Sequence, residues 1–169
     1  MNKLIRKSLI VAFDSKFGIS KNNKIPWVIP IDVSFFMDTT NREHKNAIIM
    51  GRKTWESLNK PLHNRINIVI SSTLNNLKDA YVKKGLLDAL ILCDELHVNK
   101  IFISGGSNIY KEAIENLYID ELYLTKIEND YECDNFFPIE NLNLNEAVVT
   151  VTTQVQMSGD GLNWVVCEQ

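Results

Sequence analysis

Short apolar runs, separated by stretches with helical spacing, set the strongest limit on how this chain of 169 residues can fold. The first run, Leu9-Ile10-Val11-Ala12-Phe13, is continuous rather than alternating. A strand covered on both faces reads that way, because neither face has to meet water. Further strands are expected at 46–50, 66–71, 80–83 and 100–103. Between them, helices are expected over 31–43, 51–58 and 86–96, and from Ser107 through Leu117. Strands then dominate the end of the chain, at 121–127, 147–156 and 163–168. Parallel strands need long crossovers, usually helices, whereas strands that follow one another closely pair antiparallel. The order therefore predicts an α/β domain with a central, mostly parallel eight-stranded sheet, an antiparallel C-terminal edge and about four flanking helices. Residues 15–24 read as a polar loop. With no internal repeat and no linker, residues 1–169 are expected to form one domain.

The bulk numbers exclude some classes of function. A net charge of −3 argues against nucleic acid or an anionic membrane as the main partner. No apolar stretch approaches the length of a membrane span. The basic start, Met1 to Lys7, is followed by an apolar run that stops at Asp14, too short for a secretory signal. A cytoplasmic location is expected. Cys93, Cys133 and Cys167 lack metal-binding spacing, and His44, His63 and His97 are scattered. Free thiols and no metal site are the expectation.

Three features carry chemistry. Asp32 is a lone carboxylate within Pro26-Trp27-Val28-Ile29-Pro30-Ile31-Asp32-Val33-Ser34-Phe35-Phe36. It reads either as a helix-start acid that complements the helix dipole, or as a carboxylate facing an apolar cleft, where it would grip a cationic or amidine-like group. Phe36, four residues on, shares its helix face. The second feature is a pair of strand-to-helix turns, Gly51-Arg52-Lys53-Thr54-Trp55 and Ser104-Gly105-Gly106-Ser107-Asn108-Ile109-Tyr110. Helix starts attract anions, glycine permits close approach, and α/β sheets bind ligands beyond the carboxyl ends of their strands. Two such turns suit a diphosphate-containing ligand, although neither matches a Walker A or GxGxxG pattern. Ser71-Ser72, ending a third strand, would suit an extra phosphate such as the 2′-phosphate of NADPH. The third feature is Arg65, which reads either as a solvated turn residue or as a bidentate clamp on a carboxylate.

Taken together, these segments resemble the dihydrofolate reductase family. The resemblance is carried by Ile10-Val11-Ala12, Gly18-Ile19-Ser20-Lys21-Asn22-Asn23-Lys24-Ile25-Pro26-Trp27, Asp32 with Phe36, and Ile49-Met50-Gly51-Arg52-Lys53-Thr54-Trp55-Glu56-Ser57. It continues through Pro61-Leu62-His63-Asn64-Arg65, Gly105 to Tyr110, Leu122-Tyr123-Leu124-Thr125 and Asp134-Asn135-Phe136-Phe137-Pro138. It implies NADPH-dependent hydride transfer to C6 of 7,8-dihydrofolate, antifolate binding and a monomer. Asp32 would hold the pterin, supported by Thr125, with Trp27 fixing an ordered water and Tyr110 completing the catalytic set. Ile10, Val11, Phe36, Leu58, Lys60 and Leu62 would contact the substrate, and Arg65 would bind its glutamate carboxylate. Ala12, Gly18, Ile19, Ser20, Lys21, Asn22, Asn23 and Lys24 would meet NADPH, as would Arg52, Lys53, Thr54, Ser71, Ser72, Gly105, Gly106, Ser107, Asn108, Ile109 and Tyr110. Gly105-Gly106 would be a cis peptide, and 46–98 an adenosine-binding subdomain. Ile25 would ride on a loop that closes over the site.

Some positions depart from common family forms. Ser20 replaces a frequent glycine, Asn108 a frequent arginine, Ser104 an aliphatic residue, and Cys133 and Asn64 glycines. An aspartate rather than a glutamate at position 32 leans toward bacterial or phage members. Two rival readings share parts of the pattern. A pyrimidine reductase of the same fold has no need of Trp27, Asp32, Phe36 and Arg65 together. A folate-binding structural protein has no need for every chemical position to be filled.

Overall fold

The computed structural model describes residues 4–142, 148–156 and 161–168, with side chains through residue 142. In chain order the elements are β1 (Arg6–Phe13), β2 (Gly18–Ser20), α1 (Pro30–Asn41), β3 (Asn46–Gly51) and α2 (Arg52–Ser57). Then come β4 (Arg65–Ile70), β5 (Tyr81–Lys83), α3 (Leu86–Glu95), β6 (Lys100–Ile103) and α4 (Ser107–Asn116). The series ends with β7 (Glu121–Ile127), β8 (Asn135–Phe136), a 3-10 turn (Ile139–Asn141), β9 (Val148–Gln156) and β10 (Gly161–Glu168).

Eight strands form one sheet in the order β5-β4-β3-β6-β1-β7-β10-β9. The six from β5 to β7 are parallel, and β10 runs antiparallel to both β7 and β9. This is the expected architecture, and register explains its core. Leu122, Leu9, Ile103, Ile49 and Ile68 stand side by side across five strands. All five are fully buried, and each aliphatic side chain withdrawn from water contributes about 1.5–3 kcal/mol of gross burial energy. Leu86, Ala89, Leu92 and Cys93 of α3, with Ile109, Tyr110 and Ala113 of α4, cover this face. Their spacing is that of one helix stripe each. Strand side chains alternate, so Ile10, Ile48, Met50, Phe102 and Tyr123 belong to the opposite core, which packs against Phe35, Phe36, Trp55 and Leu58.

The structure corrects details. The loop expected over 15–24 contains β2, which pairs antiparallel with β8 as a separate two-stranded sheet. Strands of three and two residues show no period, and their partners lie more than a hundred residues apart. β1 starts at Arg6 because Arg6 and Lys7 still pair with Lys100 and Ile101. α1 starts at Pro30, where the fixed φ and missing N–H suit a first helical turn. β10 begins at Gly161, two residues before the expected start. Ala147, expected to open the penultimate strand, lies outside the described residues.

Candidate active site

Parallel strands end on the same edge of a sheet, and that edge opens into a cleft of about 1030 Å³. Ile10, Val11 and Ala12 come to it from β1, and Thr125 from β7. Gly51 at the end of β3 and Ser104 just beyond β6 form a second part of its wall. α1 presents Asp32 and Phe36 together, as their four-residue spacing requires. Trp27 lies almost fully buried against Tyr131, with ring centroids 5.3 Å apart. Leu58 and Leu62 complete the apolar side.

The opposite part of the wall is polar. Arg52, Lys53 and Thr54 line it with Ser71 and Ser72. Gly105, Gly106, Ser107, Asn108, Ile109 and Tyr110 line it from the β6–α4 turn. The Gly105-Gly106 peptide is cis, as the resemblance implied. Gly105 has φ 113°, in the region that favours glycine, and its carbonyl accepts the Gly51 N–H at 2.8 Å. A Cβ on Gly105 would press on the Tyr110 ring at 3.1–3.2 Å. This contact fixes how closely the two strand ends approach one another. Tyr110 donates its hydroxyl to the Ile10 carbonyl at 2.7 Å, and burial raises its pKa, so it stays a neutral phenol. Its hydroxyl thus ties α4 to the cleft end of β1.

A loop closes the third side. Ile19, Ser20, Asn23, Lys24 and Ile25 face the cleft, and Ile25 is two-thirds exposed. Gly18, Lys21 and Asn22, expected at the cofactor, do not line the cleft wall. Gly18 is buried beneath it, where a Cβ would strike Cys133. Lys21 reaches Glu132 at 3.9 Å, and the Asn22 N–H donates to Asp134 at 2.9 Å. Lys60 and Arg65 also lie outside the wall. Lys60 is exposed, while Arg65 is half-buried at the cleft's end. Arg65 donates to Thr40 Oγ1 and to the His63 carbonyl, each at 2.9 Å, and its Nη1 lies 3.3 Å from Met37 Sδ. Burial lowers its pKa, yet a guanidinium remains cationic. Asn64 adopts φ 60° in the turn before it, a conformation asparagine accepts readily.

Several contributors escape a reading of the sequence. Phe35, Met37, Met50 and Thr73 line the cleft, as do Asp134 and Asn135. Phe35 could have been found from helical spacing with Asp32, and Thr73 from its place beside Ser71-Ser72. Asp134 and Asn135 gave no signal beyond their motif. Asp14 is fully buried and accepts the N–H groups of Lys16, Gly18 and Tyr131 at 2.8–3.0 Å. It pins the loop to the segment around Tyr131. Cys93 and Cys133 are free. Burial pushes Cys93 up to about 12; burial, then the nearby Asp14 charge, pushes Cys133 up to about 11. Neither thiol is poised as a nucleophile. Among the described residues no group of His, Cys, Asp or Glu could hold a metal, and no helix is long and apolar enough to cross a membrane.

A family model described as dihydrofolate reductase matches residues 6–164. The chain belongs to the dihydrofolate reductase family. It is 39% identical over 146 residues to a dihydrofolate reductase of Schistosoma mansoni, covering 79% of this chain and 78% of that protein. A Staphylococcus haemolyticus dihydrofolate reductase is 37% identical over 142 residues, covering 83% and 81% respectively. A bifunctional dihydrofolate reductase-thymidylate synthase of Daucus carota is 35% identical over 78% of this chain, which spans only 28% of that protein. Membership makes the chain an oxidoreductase of folate metabolism. The elements that build the cleft, from β1 to α4, all lie inside the matched residues.

Proposed function

We propose that this member of the dihydrofolate reductase family reduces 7,8-dihydrofolate to 5,6,7,8-tetrahydrofolate with NADPH, and that the cleft is its active site. The observation that carries this reading is the meeting of two chemistries in one cavity. Asp32, Phe36, Trp27 and Thr125 stand on one side, and Arg52, Lys53, Ser71, Ser72 and the cis Gly105-Gly106 turn on the other. An aromatic, largely apolar pocket with one carboxylate suits a pterin. A glycine turn joined to cationic and hydroxyl side chains suits a phosphorylated dinucleotide.

NADPH, when bound, supplies the hydride. The protein supplies the rest. Asp32 pairs with the 2-amino group and N3 of the pterin, which fixes its orientation and places negative charge beside it. Thr125, only 2% exposed, supports that carboxylate from β7. Trp27 holds an ordered water near it, and a water hands the proton to N5, because Asp32 binds the far end of the ring. Ile10, Val11, Leu58 and Leu62 exclude bulk solvent, which strengthens these interactions. Arg65, pre-set by Thr40, takes the glutamate carboxylate, with Lys60 outside it. The segment 46–98 forms the adenosine-binding subdomain. Gly18, Lys21 and Asn22 act through the loop's backbone rather than as wall residues. The site is complete within one chain, consistent with a monomer, and its ligands are small molecules, including antifolates. A cytoplasmic location follows from its substrates.

Absorbance at 340 nm with NADPH and 7,8-dihydrofolate tests the reading. Methotrexate-sensitive loss of absorbance is expected. Binding of both ligands without turnover would replace catalysis with a binding role.

A further inference from the structure

The polar wall contains an anion that no catalytic or binding role explains. Glu56 lies on α2, one turn beyond Arg52, and is not part of the cleft wall. Its Oε1 accepts the Arg52 Nε–H at 2.7 Å. On the other side, Arg52 Nη1 donates to Thr73 Oγ1 at 2.8 Å. Thr73 Oγ1 lies 3.3 Å from Ser71 Oγ, which also accepts the N–H groups of Thr73 and Leu74. Arg52 is therefore strung between a carboxylate behind the wall and a hydroxyl in the wall. Among the described residues it has no other partner.

We infer that Glu56 sets the strength of cofactor phosphate binding, holding Arg52 in place while cancelling part of its charge. The inference rests on the reading that Arg52 and Ser71-Ser72 receive the 2′-phosphate of NADPH. A phosphate arriving there meets two cations, Arg52 and Lys53, and one fixed anion close behind. The carboxylate repels the dianion and competes with it for the guanidinium. The same carboxylate saturates Nε, so the remaining donors are the Nη groups, and Thr73 fixes the plane in which they lie. The pair is about half exposed, so water and salt screen it and the effect is a tuning rather than a switch. The benefit of such tuning is release: a cofactor held less tightly leaves faster after oxidation.

Replacing Glu56→Gln keeps an oxygen acceptor for Arg52 Nε and removes only the charge. NADPH and NADH are titrated against wild type, Glu56→Gln, Thr73→Val and Arg52→Gln by quenching of protein fluorescence at low and high salt. Glu56→Gln is expected to lower Kd for NADPH by about three- to tenfold at low salt, with the gain shrinking as salt rises. Its Kd for NADH stays within about twofold. Thr73→Val is expected to weaken NADPH about threefold and to leave NADH unchanged, because only the anchor of Arg52 is lost. If Arg52→Gln abolishes the preference for NADPH while Glu56→Gln leaves it unchanged or weaker, Glu56 is a structural prop and the inference is overturned. If wild type and Arg52→Gln bind NADPH and NADH alike, the phosphate assignment itself fails and takes the inference with it.

Discussion

The two ends of the same three strands treat charge in opposite ways. At their N-terminal ends, Arg6 of β1, Lys100 of β6 and Glu121 of β7 stand together. Lys100 Nζ meets Glu121 Oε1 at 2.6 Å and the Tyr123 hydroxyl at 3.1 Å, and that hydroxyl donates to Glu121 Oε2 at 2.9 Å. The Ser8 hydroxyl and Arg6 also reach Glu121 Oε1, at 3.1 and 3.4 Å. Lys100 lies over the rings of Phe102 and Tyr123. Every donor and acceptor there has a protein partner, and nothing is left to offer a ligand. At the C-terminal ends, the same strands deliver backbone, small residues and Thr125 to an open cleft, and cations such as Lys24 and Lys53 have no carboxylate partner among the described residues. A saturated network stabilises, whereas groups aimed into a cleft have their polar contacts completed by ligands.

The contrast makes mutations separable. The largest effect on activity is expected at the cleft. Asp32→Asn should slow hydride transfer at neutral pH by about a hundredfold or more, measured in single turnover, while NADPH affinity changes little. An unchanged rate would remove Asp32 from the mechanism. At the other end, Glu121→Gln should cost about 3–5 kcal/mol of stability in urea denaturation, the loss typical of a buried pair that loses one partner. Its kcat should not move. Equal losses of kcat and stability would show that the two ends are coupled through the strands.

Arg65→Gln is expected to raise KM for 7,8-dihydrofolate by about ten- to a hundredfold, the worth of a charge-assisted hydrogen bond, and to spare a dihydropterin that lacks the glutamate tail. Equal loss with both substrates would instead mean a collapsed turn.

The smallest effect is in the pH profile. Desolvation pushes the Glu121 carboxyl up, but the hydrogen bonds and charges of Lys100, Tyr123 and Arg6 outweigh it and hold it below the usual range. For Lys100, desolvation works downward and is likewise outweighed, so its pKa is raised. A carboxylate lowered on folding stabilises above its unfolded pKa and loses that contribution as pH falls through the folded value. A lysine raised on folding stabilises below its unfolded pKa and loses that contribution as pH rises past it. Stability should therefore decline below about pH 4, and Glu121→Gln should flatten that decline. An acid limb of identical slope in the variant would place the responsible carboxylate elsewhere.

Much of the cleft was legible because its chemistry is concentrated in short motifs. Asp32, four residues from Phe36, had to share a helix face with it. Gly51 and Gly105 had to sit at strand ends, since each follows an apolar run and precedes a helical one. Long-range pairings gave no such signal. Nothing local to Asp14 indicates that it gathers the N–H groups of Lys16, Gly18 and Tyr131. β2 and β8 are too short to carry a period. Lys21 and Asn22 belong to the loop motif, but their partners, Glu132 and Asp134, come from far along the chain.

The sequence by itself determined the order of strands and helices, the parallel character of the sheet and the edge on which a ligand must lie. Those follow from periodicity and crossover geometry, which are local or nearly so. Only the tertiary structure decided which charges are consumed within the protein and which are presented to a ligand. Arg6 and Arg52 look alike as residues. One meets Glu121 beneath the sheet, and the other is held between Glu56 and Thr73 in the wall of the cleft. That distinction rests on distances of about 3 Å between residues up to 115 positions apart, and no local pattern records it.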